Sequence, residues 1–107
     1  MTNTQIDFKK KIDSSRGVIF YFATMSCVVG EALEPKVRTL IKEEFPQLIF
    51  SFVDMNLAPE LCASQQVFVE PTILLFIDGK ESMRKSRHIG ISELEQTLSR
   101  IYSLAFD

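Results

Sequence analysis

Three short apolar runs constrain this chain most: Val18-Ile-Phe-Tyr-Phe-Ala23, Leu48-Ile-Phe-Ser-Phe-Val53 and Thr72-Ile-Leu-Leu-Phe-Ile77. Each is too short for a helix of ordinary length, and each is rich in β-branched and aromatic residues. The first run, near-continuous in apolar residues, suits a central strand covered on both faces. The second reads as another buried strand, ended by Asp54, and the third as a third strand. Between the runs the period changes to that of a helix. Ile6, Phe8 and Ile12 lie in a Lys-rich stretch that predicts a helix over about residues 4–14. Ala32, Leu33, Val37, Leu40, Ile41 and Phe45 define one face of a second helix, over 30–45. Glu31, Glu34, Lys36, Arg38, Lys42 and Glu43 cover its other side. Pro35 is expected to bend that helix and Pro46 to stop it. Pro59 opens a short helix reaching about Gln66.

Asp78-Gly79 follows the third run directly. It is a strong hairpin signal, because a type I′ turn needs positive φ at both central positions. The return strand is expected over 83–89. Ser92-x-x-Glu95 reads as a capping box that opens a last helix, with Ile91, Leu94, Leu98, Ile101 and Leu104 at helical spacing. The order is therefore α-β-α-β-α-β-β-α. A helix joins the first two strands, which makes them parallel, while the tight turn makes the last pair antiparallel. A mixed four-stranded sheet with helices on both faces follows.

At 107 residues the chain is expected to form one domain, residues 1–107, able to bury a core without staples. Its net charge of −2 offers no electrostatic footprint for nucleic acid. No apolar stretch is long enough to span a membrane, and the polar start lacks a signal peptide's apolar segment. These features predict a cytoplasmic location. Two cysteines, Cys27 and Cys62, and a single histidine, His88, make a weak case for zinc, and no metal or other cofactor is expected. Cys62 lies in Leu61-Cys62-Ala63-Ser64-Gln65-Gln66-Val67, where a small core residue is favoured over a second reactive thiol. Lys80, Arg84, Lys85, Arg87 and His88 cluster on the hairpin. Charge protecting an edge strand explains them better than an acidic partner does.

This order, with a Cys after the first strand and a Pro before the third, resembles the thioredoxin family over nearly the whole chain. The residues carrying the resemblance are Val18 to Cys27, Pro35, Val53-Asp54, Glu70-Pro71-Thr72, Asp78-Gly79 and Gly90. The implied fold is a three-layer α/β sandwich. The implied site has Cys27 as nucleophile at a helix N-terminus, with a cis-proline, Pro71, packed opposite it 44 residues later. Met25, Ser26, Val28, Val29, Gly30, Glu70, Pro71 and Gly90 would shape the substrate groove. A thiolate at such a terminus is stabilised by unpaired backbone N–H groups and the helix dipole.

The departures from the family pattern are chemical. Gly30 stands where the resolving cysteine would be, so no dithiol–disulfide cycle is possible within Cys27-Val28-Val29-Gly30. Tyr21 replaces a buried carboxylate, Ser26 a Trp, and Glu70 an uncharged residue. A Glu70 carboxylate close to Cys27 would disfavour the thiolate. Two functions remain open. One is monothiol disulfide exchange, or an isomerase-like role, acting on protein thiols or disulfides or on glutathione. The other is a redox-inactive module that binds protein. Residues 31–37 read as the helix after an ordinary Cys-x-x-Cys, so Gly30 is also open to reading as one isolated substitution.

Overall fold

The computed structural model describes residues 1–25 and 33–107. The elements are α1 (Asn3–Ser14), β1 (Gly17–Ala23), α2 (Leu33–Glu44), β2 (Ile49–Asp54), α3 (Pro59–Ser64), β3 (Thr72–Ile77), β4 (Lys80–Ser86) and α4 (Ile91–Phe106). The sheet order is β2-β1-β3-β4. β1 pairs parallel with β2 and antiparallel with β3, and β3 pairs antiparallel with β4. This is the mixed sheet expected from the pattern of periods.

β1 is buried along its whole length. Successive side chains point to opposite faces, so one strand supplies two cores. Ile19, Tyr21 and Ala23 join Val37, Ile41, Leu94 and Leu98 under α2 and α4. Val18, Phe20 and Phe22 join Phe8, Leu61, Cys62 and Val67 under α1 and α3. The second core is largely aromatic: the Phe8 ring lies 4.2 Å from that of Phe20 and 5.5 Å from that of Phe76, the latter edge to face. Tyr21 stacks on Phe52 with centroids 6.2 Å apart.

Several local expectations are corrected. The run 48–53 is not the buried strand expected. As an edge strand, β2 leaves Ile49 exposed and Phe50, Phe52 and Val53 half-buried. Two aromatic residues and two β-branched ones fit an edge as readily as a centre, because periodicity does not report which strand has neighbours on both sides. The return strand is Lys80–Ser86 and not 83–89, since the two-residue turn starts pairing at once. Asp78 and Gly79 have φ of 50° and 84°, as that turn requires. Ser92 does not cap α4. The helix begins one residue earlier, with Gly90 at its N-cap and no side-chain cap bond. The capping box is at α1 instead, between Thr2 and Gln5. Leu104 keeps helical spacing but lies exposed, beyond the reach of the core. Glu34 is buried and not on the wet side of α2, and Arg38 one turn on neutralises it, with Nε donating to Oε1 at 2.8 Å. The expected start of this helix at 30–32 lies outside the described residues, and Pro35 is the third residue of the described α2.

Arg84 fixes the hairpin to the chain entering β3. Its Nη2 donates to the Gln65 carbonyl at 2.8 Å and its Nη1 to the Gln66 carbonyl at 3.2 Å, while Nε and Nη2 donate to the Glu81 carboxylate at 3.0 Å each. Those hydrogen bonds hold the Glu81 carboxyl below its usual range. A depressed carboxyl contributes stability above its unfolded pKa and loses it as pH falls through the folded value. Glu81→Gln is therefore expected to lower stability at pH 7 by a few tenths of a kcal/mol, the pair being a third exposed. Thermal unfolding of both proteins should show that difference close to zero by about pH 2–3.

Candidate functional site

The loop before β3 carries the site's framework. The Glu70–Pro71 peptide is cis. Glu70 reaches across to the residue that follows β1: Oε2 accepts from the Thr24 N–H at 2.7 Å, and Oε1 accepts from Thr24 Oγ1 at 3.2 Å. A charged acceptor on a backbone N–H gives a strong bond of its class. The Glu70 carboxylate thus does structural work, joining the proline loop to the end of β1. On the other side, the Arg87 N–H donates to the Pro71 carbonyl at 2.9 Å, and Thr72 Oγ1 donates to the Val69 carbonyl at 2.7 Å. Arg87 adopts a positive φ of 65° as the chain leaves β4.

These ties frame an open groove of about 430 Å3 lined by Leu33, Glu70, Pro71, Arg87, His88 and Ile89. Leu33 is the first residue of α2. Of the groove residues expected from sequence, the structure brings together Glu70 and Pro71. Met25 is exposed and Gly90 directly follows Ile89, but neither is among the described residues lining the groove. Cys27, Ser26, Val28, Val29 and Gly30 lie outside the described residues.

Arg87, His88 and Ile89 were not singled out as groove residues. Arg87 and His88 belong to the cluster after Asp78-Gly79, but reading that cluster as one edge strand hides a division within it, and no sequence signal marks Ile89. Arg84 is bound internally, and Lys85 is paired with Glu93 at 3.0 Å. Arg87 and His88 lie past the end of β4, exposed, at the groove.

Comparison with known proteins places this framework. The thioredoxin family profile, described as Thioredoxin, matches residues 1–100. The chain belongs to the thioredoxin family. It is 33% identical over 84 residues to the thioredoxin-like protein YdfQ of Bacillus subtilis (strain 168), an alignment covering 78% of this chain and 74% of that protein. It is 32% identical over 81 residues to Thioredoxin-2 of Pyricularia oryzae, covering 76% of this chain but only 46% of the longer fungal protein. Among solved structures, Fasciola hepatica thioredoxin superposes with a TM-score of 0.79 at 31% identity, over 90% of this chain and 92% of that one. The thioredoxin-like sandwich and its order of elements are therefore those of this protein.

Cys62 is a free thiol, buried in the core between α1, α3 and the sheet. Burial pushes its pKa up, only partly offset by a hydrogen bond to its own backbone. A thiol that is both covered and protonated is a poor nucleophile. In the folded Cys27→Ser protein at pH 7–8, Cys62 is expected to react with a maleimide or an aromatic disulfide at least about tenfold more slowly than in denaturant. Equal rates in the two states would contradict its assignment to the core.

Proposed function

We propose that this thioredoxin-family protein performs monothiol disulfide exchange, with Cys27 as the attacking group and the Glu70–Pro71 groove as the seat of the substrate chain. The observation that carries the reading is the tether from Glu70 to Thr24. It holds the cis-proline loop against the strand end leading into the cysteine-bearing segment. Family membership supplies the chemical class.

In the proposed step the Cys27 thiolate attacks one sulfur of a disulfide. A new S–S bond forms as the old one breaks, and the departing thiolate takes a proton from solvent. With Gly30 in place of a resolving cysteine, the mixed disulfide waits for an outside thiol. Glutathione or a protein thiol then attacks it, restores the Cys27 thiolate and carries the oxidation away. If the attacking thiol belongs to the same substrate, the net result is isomerisation. The exposed Arg87 guanidinium beside the groove favours substrates with acidic groups near the reacting sulfur.

The second reading is a redox-inactive module that binds protein through the same groove. It is favoured by Gly30 and by two exposed apolar side chains, Met25 and Phe68, the latter two residues before Glu70.

Insulin reduction with a thioredoxin reductase system separates these readings from ordinary dithiol activity. Sustained turnover by the wild-type chain would sink the one-thiol mechanism. The expected result is little turnover but a trapped mixed disulfide with substrate, absent in Cys27→Ser. Partner capture unchanged in Cys27→Ala would instead favour the binding module. Gly30→Cys is expected to create a 27–30 disulfide and raise insulin turnover at least about tenfold.

A further inference from the structure

The two edges of the sheet are built differently. β4 carries four charged residues in seven, Lys80, Glu81, Arg84 and Lys85, and its pairing with β3 is interrupted by a register shift at Leu75/Phe76. Charges and irregular pairing are the usual protections against edge-to-edge association. β2, at the other edge, has neither. Ile49-Phe50-Ser51-Phe52-Val53 contains no charge, proline or glycine, and the strand reaches a charged residue only at Asp54.

The phase of its hydrogen bonds follows from one contact. The Met55 N–H donates to the Ala23 carbonyl of β1 at 3.0 Å. Alternation along a strand then turns the polar groups of Val53, Ser51 and Ile49 toward β1, and those of Phe50, Phe52 and Asp54 toward the open edge.

The strand is also nearly symmetric about Ser51. A second copy running antiparallel, with Ser51 opposite Ser51, sets Phe50 opposite Phe52 and Ile49 opposite Val53. In that register Phe50 and Phe52 are the hydrogen-bonded pairs, matching the outward groups, and the two serines form the closer non-hydrogen-bonded pair on the axis. Each apolar side chain meets an apolar one. Phe50 and Phe52, half-buried over the α2/α4 core, would form cross-strand aromatic pairs. Charge agrees on this face: the Arg38 guanidinium lies 5.2 Å from the Phe50 ring centre, and the pairing brings Asp54 of the second copy diagonal to Phe50. On the other face Lys11, whose Nζ donates to Ser51 Oγ at 2.9 Å, approaches its own copy across the axis, which keeps the association weak.

We propose that β2 is a self-pairing edge, joining two copies of this chain through a two-fold axis at Ser51 into one eight-stranded sheet. A self-complementary patch is what closed two-fold association requires. The axis lies at the sheet edge away from β3 and β4, so both grooves stay open. The inference does not depend on the thiol chemistry.

Sedimentation equilibrium of the 107-residue chain should show the average mass rising from 12.2 kDa toward twice that value with concentration, in the roughly micromolar-to-millimolar range of a small interface. Ile49 is 46% exposed, so Ile49→Lys leaves the monomer folded while placing a charge against Val53 of the second copy. It should weaken association at least about tenfold with an unchanged circular dichroism spectrum. Ser51→Cys in a Cys27→Ser background should crosslink two chains under oxidised glutathione, because opposed residues in a non-hydrogen-bonded pair lie within disulfide reach. Ile49→Cys in the same background should not. A chain monomeric at every concentration, as expected if the edge receives a strand from another protein, would overturn the proposal. So would a dimer indifferent to Ile49→Lys, or one that Ser51→Cys fails to crosslink.

Discussion

Everything in this fold hangs on β1 being covered on both faces and paired on both sides. Its six residues from Val18 to Ala23 are almost wholly inaccessible to solvent. Alternation divides them between two cores, so the strand cannot slip by one residue without exchanging the contents of both. Phe20 and Phe22 would then meet α2 and α4, and Tyr21 the aromatic cluster of Phe8 and Phe76. A register specified so strongly fixes where the strand ends. Thr24, the next residue, is therefore presented reliably to the Glu70 carboxylate, and the proline loop is positioned by the same packing that stabilises the domain.

The element order was legible because it depends on properties of short windows: apolar runs, helical spacing and a turn whose geometry only a few residue pairs accept. What was not legible depends on neighbours remote in sequence. Nothing in Leu48–Val53 says that one side of the strand is unpaired, and nothing in Glu34 says that Arg38 will follow it into a buried position. Ser92-x-x-Glu95 matches a cap pattern, yet the helix starts at Ile91 because packing of its first apolar residue competes with one side-chain bond. At the site, Pro71 was found through its resemblance to a family feature, whereas Arg87, His88 and Ile89 were missed because they reach the groove only after the chain leaves β4.

The substitutions relative to the family pattern change chemistry more than architecture. Tyr21 occupies its core position as a stacked aromatic residue on Phe52, filling with apolar surface a place where a carboxylate would need a partner. Glu70 adds charge beside the proline but spends it on Thr24. By its resemblance to the family pattern, Gly30 stands where a resolving cysteine is expected, and Cys62, buried beneath α1 and α3, is badly suited to replace it. Under the proposed mechanism, one attacking thiol beside the Glu70–Pro71 groove would form mixed disulfides and hand them on.

The most direct test of that account is mass spectrometry of the reduced wild-type protein after incubation with oxidised glutathione at neutral pH, with the modified residue located by peptide mapping. The account predicts one glutathionyl group per chain, on Cys27, with Cys62 unmodified in the folded protein. Modification at Cys62 in preference to Cys27, or no modification at Cys27, would contradict it.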